Sequence, residues 1–101
     1  MIVVRFRVKC RPGKSGPLVA AFKEIITASR PLDGVVSFDI GQDLADPDAF
    51  IATEVFTDKV ALALQEELAE VQMAMGLMED VLAEPPETTI YHVASSEPGG
   101  D

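Results

Sequence analysis

Between Gly34 and Asp58 the chain reads GVVSFDIGQDLADPDAFIATEVFTD. Two β-rich runs, Val35–Ile40 and Phe50–Phe56, flank an acidic, proline-containing turn at Gln42–Ala49. That is the pattern of an antiparallel strand pair. The pair lies between two helical patterns, and these lie between two further strands. The order β-α-β-β-α-β leaves few architectures open. The one it fits is an α+β, ferredoxin-like fold, an antiparallel sheet with both helices on one face.

The flanking elements follow from periodicity. Ile2–Lys9 alternates, with Ile2, Val4, Phe6 and Val8 on one face and Val3, Arg5, Arg7 and Lys9 on the other. Ser15 is placed to cap a helix that tolerates Pro17 in its first turn, and Leu18, Phe22, Ile25 and Ile26 form its apolar stripe. In the second strand the spacing puts Val36, Phe38 and Ile40 opposite Val35, Ser37 and Asp39. In the third it puts Phe50, Ala52, Glu54 and Phe56 opposite Ile51, Thr53 and Val55. Thr57 or Asp58 caps a second helix whose seam runs Ala61, Leu64, Leu68, Val71, Met75, Met78 and Leu82, with Gly76 as its weak point. Pro85-Pro86 ends that helix, and Thr88–Ala94 reads as the last strand, Ile90 and His92 on one side, Tyr91 and Val93 on the other. We expect one domain over residues 1–94 and a disordered tail over 95–101 (SSEPGGD).

An apolar fraction of 48% suits a globular domain, and no apolar run approaches the roughly 20 residues a membrane span requires. With no secretory pattern at the N-terminus, the expected location is cytoplasmic. Cys10 is the only cysteine, which rules out an internal disulfide and a cysteine metal cluster; it reads as a small residue at a strand end. The acids of DLADPD lack the glycine and distal glutamate of an EF-hand loop, so no metal site is expected. The net charge of −9 is unevenly spread: residues 1–30 hold seven bases and one acid, and the remainder holds sixteen acids and one base. Such a chain is a poor ligand for nucleic acid, and its basic first strand is expected to pair internally, Arg5 and Arg7 with acids such as Asp39 or Glu54. A sheet with helices on one face leaves the other bare. Here that face would carry Val35, Ile51 and Val55 beside Arg5 and Arg7, a surface best covered by a second copy of the chain.

Several segments together resemble one family. Arg11-Pro12-Gly13-Lys14 resembles "KPGK"; PLDGVVSFD at 31–39 resembles "EPGCLRYD"; DLADPDAF at 43–50 resembles "DLDDPDRF". Glu54–Asp58 (EVFTD) is similar to "EEWED", and LAEPPETTIY at 82–91 to "LAEPPEVRRY". These are elements of the antibiotic biosynthesis monooxygenase domain, of the dimeric α+β barrel superfamily, and the resemblance runs from about Val3 to Val93. It implies a homodimer with facing sheets and a small-molecule pocket in each subunit between sheet and helices. It also implies oxidation of a quinol- or anthrone-like aromatic compound with neither metal nor flavin. An electron-rich phenolate can itself give an electron to O₂, so the protein must bind it dry, stabilise it and move a proton.

The chain departs from that pattern. Phe56 stands where the family has a tryptophan, Ala52 where many members have a polar group, and Gln65 and Glu70 where two histidines would be. The candidate catalytic residues are therefore His92, the only histidine, and Tyr91, which matches a family tyrosine. Glu70 is a further candidate base if an apolar pocket raises its pKa. Phe6, Phe38, Phe56, Gln65, Met73 and Met78 are the candidate substrate-binding set, a Phe- and Met-rich wall suited to a flat apolar ligand. The alternative function is a dimeric binding or regulatory module that kept the fold and lost the polar groups; a weaker one is an isomerase using His92 and Glu70.

Overall fold

A computed structural model describes residues 1–100; Asp101, the last residue of the expected tail, lies outside the described residues. The first strand, β1 (Ile2–Lys9), pairs antiparallel on both sides, with β3 (Asp46–Phe56) and with β4 (Glu87–His92). The hairpin partner β2 (Val35–Asp43) forms the far edge. Among the described residues the sheet has four strands in the order β2-β3-β1-β4, the ferredoxin-like arrangement expected. Residues 93–100 carry no helix or strand.

Ladder partners share a face. Ile2, Val4, Phe6 and Val8 of β1 lie opposite Phe56, Glu54, Ala52 and Phe50 of β3, and this is the face the helices cover. The first helix, α1 (Gly16–Ser29), buries Leu18, Ala21, Phe22 and Ile25 there. Phe22 meets Phe50 edge-on, with ring centroids 6.1 Å apart and planes at 61°. Ser15 is the N-cap and Pro17 lies in the first turn, but the Ser15 side chain makes no capping hydrogen bond.

Three expectations are corrected. First, the strands of the hairpin extend through most of the expected acidic turn and leave only Leu44-Ala45 between them. The acids serve local backbone: Asp43 Oδ1 accepts the Ala45 N–H at 2.8 Å and Asp46 Oδ1 that of Asp48 at 3.1 Å. Second, a register shift between Val35 and Ser37 inserts one residue. The inserted residue reverses the alternation, so Val35 packs on the core and Val36 turns outward, 59% exposed. Gly34 leads into this bend with φ +83°, and its carbonyl accepts the Thr57 N–H at 2.8 Å. A Cβ there would lie 2.5 Å from that of Ala61, so β2 can start this close to the second helix only at glycine.

Third, the expected long second helix is two, α2 (Lys59–Glu66) and α3 (Ala69–Val81). The break falls at Glu67-Leu68, where Leu68 takes ψ 137°, and not at Gly76. Asp58 caps α2 by accepting the Ala61 N–H at 2.9 Å. The kink redirects the apolar stripe: Ala61, Gln65 and Ala74 are buried, whereas Leu64 of the expected seam is exposed.

The opposite face of the sheet carries Val3, Arg5, Arg7 and Lys9 of β1, beside Val55, Thr53 and Ile51 of β3 and Tyr91 and Thr89 of β4. The basic strand does pair internally, but not with the expected acids. Arg7 lies 3.7 Å from Asp43 and 4.0 Å from Asp46, and Lys9 lies 3.1 Å from Asp46. Asp39 is held by Arg30 at 3.0 Å, and Glu54 is on the helix-covered face, out of reach of both arginines. Cys10 is fully buried at the end of β1 in a bridge to Leu82, and burial pushes its thiol pKa up. Among the described residues no helix is long and apolar enough to cross a membrane.

Candidate active site

Sheet and helices do not close completely on each other. A cavity of about 300 Å³ remains between them, at the low end of the roughly 300–1,000 Å³ usual for small-molecule sites. Val4, Phe6, Phe38, Ile40, Ala52 and Ile90 form its floor on the four strands. Phe22 and Ile25 of α1, Leu62 of α2 and Val71, Ala74, Met75 and Met78 of α3 form its roof. A second hollow under the α3–β4 connection shares Met75, Met78 and Pro86 with the first and continues it toward the surface. Four polar side chains interrupt the apolar lining: Glu54, Gln65, Glu66 and Thr88.

Glu54 is there because of strand parity. Phe50, Ala52, Glu54 and Phe56 are every second residue of β3, so the pattern that buries the aromatics carries the carboxylate into the same layer. Val4 flanks it on one side and Phe38 on the other. Among the described residues it has no ion pair and its side chain accepts no hydrogen bond. Burial, with the charge of Glu66 adding to it, raises its pKa from 4.5 to about 7. A carboxyl poised near neutrality in an apolar hollow can take a proton from a bound ligand and give it back.

Gln65 is the fully buried polar side chain of the lining, 3% exposed, whereas Glu54 is half-buried. Its Nε2 donates to Ser29 Oγ at 3.2 Å, which ties α2 to the end of α1 and fixes the amide at the cavity wall. Glu66, next to it, is exposed and meets the cavity from the rim. Thr88 of β4 brings a hydroxyl. Among the described residues no three His, Cys, Asp or Glu side chains are grouped to hold a metal ion.

Of the residues singled out from sequence, Phe6, Phe38, Gln65 and Met78 are brought together in this lining. Phe56 is fully buried but lies outside it, opposite Ile2 and Val35 at the end of β3. Met73 faces outward, 64% exposed. Tyr91 pairs with Val3 on the far face of the sheet, and His92, opposite Ile2, is exposed beyond the cavity; Glu70 is likewise outside its lining. Glu54 escaped sequence reasoning as a site residue. The signal was present: it is the one charged residue in an otherwise apolar alternation from Phe50 to Phe56.

The fold is a small α+β domain in which an antiparallel sheet is roofed by helices over an apolar hollow that holds the unpaired carboxyl of Glu54. Residues 1–75 match the family described as antibiotic biosynthesis monooxygenase, and the chain belongs to that family. An uncharacterised protein of Synechocystis is 27% identical over 96 residues, 95% of this chain, and the chain spans 65% of that relative's length. The fold is shared with a candidate antibiotic biosynthesis monooxygenase of Nitrosomonas europaea, at TM-score 0.87 and 24% identity over 94% of this chain and 100% of that one. A Mycobacterium tuberculosis protein superposes at TM-score 0.87 with 20% identity, covering 96% of this chain and 98% of its own. A candidate monooxygenase of Deinococcus radiodurans does so at TM-score 0.87 with 19% identity over 100% of both chains.

Proposed function

We propose that the protein is a monooxygenase that needs neither metal nor flavin and acts on a small aromatic quinol, with Glu54 as the group that moves the proton. The observation that carries this reading is the unpaired carboxyl of Glu54, with a pKa raised to about 7, inside the apolar cavity of a member of this family. Ionised Glu54 takes the phenolic proton, and the electron-rich phenolate gives one electron to O₂. The two radicals join at a ring carbon to form a C–O–O bond. Protonated Glu54 returns its proton to the peroxide; the O–O bond and the C–H bond of the same ring carbon then break, and the hydroxyl leaves with that hydrogen as water. The net change is quinol plus O₂ to hydroxyquinone plus water. The apolar roof excludes bulk water from the phenolate while this occurs. In this reading Phe6, Phe38 and Met78 pack on the ring, Gln65 positions it, and Tyr91, His92, Phe56 and Met73 act outside the cavity.

The same reading includes a homodimer in a cytoplasmic setting, formed through the outer face of the sheet. Val3, Ile51, Val55 and the half-exposed Tyr91 place an apolar strip there between the charged side chains. Light scattering is expected to give twice the chain mass of 10.8 kDa; a single-chain mass removes this part.

A second reading keeps the ligand and drops the turnover. Gln65 is the one cavity side chain with N–H donors, and one of its two is held by Ser29, which leaves a single N–H to stabilise a reduced oxygen species. Oxygen-electrode measurements with 1,4-dihydroxynaphthalene separate the two readings. Uptake by the native chain above the spontaneous rate, lost in Glu54→Gln, is the result expected. Binding of the quinol without uptake would make the protein a binding module.

A further inference from the structure

The charge of the cavity is one-sided. Glu54 and Glu66 are the ionisable side chains of its lining, and both are acids. Among the described residues no Lys, Arg or His joins the wall. Arg7 and Lys9 are on the opposite face of the sheet with Asp43 and Asp46, and Arg30 is held outside by Asp39 and the Phe38 carbonyl. The uncharged polar groups inside are the Gln65 amide and the Thr88 hydroxyl.

An anion entering this space would lose its water shell, meet two like charges and find no cation in exchange. An uncharged ring with hydroxyl groups loses much less and can donate to a carboxylate. We propose that the cavity selects uncharged, hydroxyl-bearing aromatic compounds and excludes the same rings carrying a sulfonate, carboxylate or phosphate. This rests on the cavity being the substrate site, as argued above, and narrows the substrate to a neutral quinol. The chemistry is consistent with it. Proton transfer from a neutral quinol to Glu54 moves a negative charge from carboxylate to ring and leaves the cavity total unchanged. An anionic substrate would raise that total by one. The hydroxyquinone product is a vinylogous carboxylic acid, already ionised at neutral pH, so the charge that bars anionic substrates also expels product.

The test compares three probes with one ring system: 1,4-dihydroxynaphthalene, its 2-sulfonamide and its 2-sulfonate. The sulfonamide matches the sulfonate in size without the charge. Binding is measured to the full native chain under argon, and oxygen uptake is measured separately. At pH 8 the sulfonamide should bind close to the parent and the sulfonate about tenfold or more weaker. The gap should narrow at pH 5.5 as Glu54 takes up its proton. On α2 the group facing Glu54 is Glu66; α1, α3 and the neighbouring strands bring no titratable side chain to the inner cavity, while Glu79 of α3 and Glu84 line the outer hollow and add acids at its mouth. Glu66→Gln, a change at an exposed position, should narrow the pH 8 gap several-fold. A sulfonate that binds as well as the sulfonamide overturns charge selection and leaves the proton-transfer reading standing. A sulfonamide as weak as the sulfonate also overturns it, because size would then be the discriminator. If no probe binds and no uptake occurs, the substrate-site reading falls and takes this inference with it.

Discussion

Two acids on one strand have opposite fates. Asp46, at the start of β3, sits beside Lys9 at 3.1 Å and Arg7 at 4.0 Å and accepts the Asp48 N–H. The hydrogen bond from Lys9 and that from backbone hold its pKa below the ordinary value. Glu54, near the other end, has neither an ion pair nor a hydrogen bond, and burial raises its pKa to about 7. The strand therefore carries one carboxylate that helps the fold and one that works against it. A group retained at a cost to stability, in a cavity that opens outward, is where function is to be sought.

The largest effect expected is on turnover. Glu54→Gln preserves shape and removes the base, so oxygen uptake with 1,4-dihydroxynaphthalene should fall by roughly 10²–10⁴-fold. The native pH profile should rise through about pH 7, the Glu54 pKa, and that limb should vanish in the variant. Unchanged uptake would put Glu54 on the same footing as Asp46, as a merely structural acid.

The next effect is on stability, and its sign is unusual for a carboxyl. Between pH 4.5 and about 7 the folded protein holds a proton on Glu54 that the unfolded chain has released. Stability is therefore lost as pH rises through that window and is lowest above it. Glu54→Gln is expected to be more stable than the native chain at pH 8, by up to roughly 3 kcal/mol, with no advantage left below about pH 4. Urea unfolding at the two pH values measures this directly. A variant that is less stable at pH 8 would mean that the carboxylate has a partner and is not desolvated.

Most of the fold was legible because it depends on period. The alternation of β1 placed Ile2, Val4 and Val8 in the core correctly, and the segment order specified the sheet. What was not legible depends on a single inserted residue or a single turn. The bulge after Val35 and the kink at Leu68 each change which residues face inward without leaving a period of their own. The candidate site divides along the same line. Phe6, Phe38 and Met78 follow from strand and helix phase, and Gln65 from the resemblance, where it stands in place of a histidine. Tyr91 and His92 were chosen for their chemistry, and strand register takes them away from the cavity. Glu54 was read as half of an ion pair, because charge balance in a sequence does not say on which side of a sheet the partners lie.

A smaller effect concerns the group that holds the roof over Glu54. Gln65→Leu leaves the fully buried Ser29 hydroxyl without its partner, at a cost of about 1 kcal/mol. If the bond between α2 and α1 also positions the cavity wall, KM for the quinol should rise while the pH limb set by Glu54 stays in place. A shifted limb would instead make Gln65 part of the electrostatics of Glu54.

The smallest effect is at Asp46, and it bears on the comparison most sharply because its sign is opposite. Asp46→Asn removes the ion pairs with Lys9 and Arg7 and keeps a side-chain oxygen to accept the Asp48 N–H. A carboxylate whose folded pKa is lowered stabilises above its unfolded pKa, and that contribution is lost as pH falls through the folded value. The variant should therefore be slightly less stable than the native chain at pH 7, and the difference should disappear in acid once the folded carboxyl is protonated. Salt at about 0.5 M should erase the small difference at pH 7, since exposed pairs are screened, while the gain from Glu54→Gln persists because it comes from desolvation of the half-buried carboxyl and not from an ion pair. If both substitutions moved the unfolding midpoint in the same direction at pH 7, the division of β3 into a structural acid and a functional one would not stand, whatever the turnover assay had found.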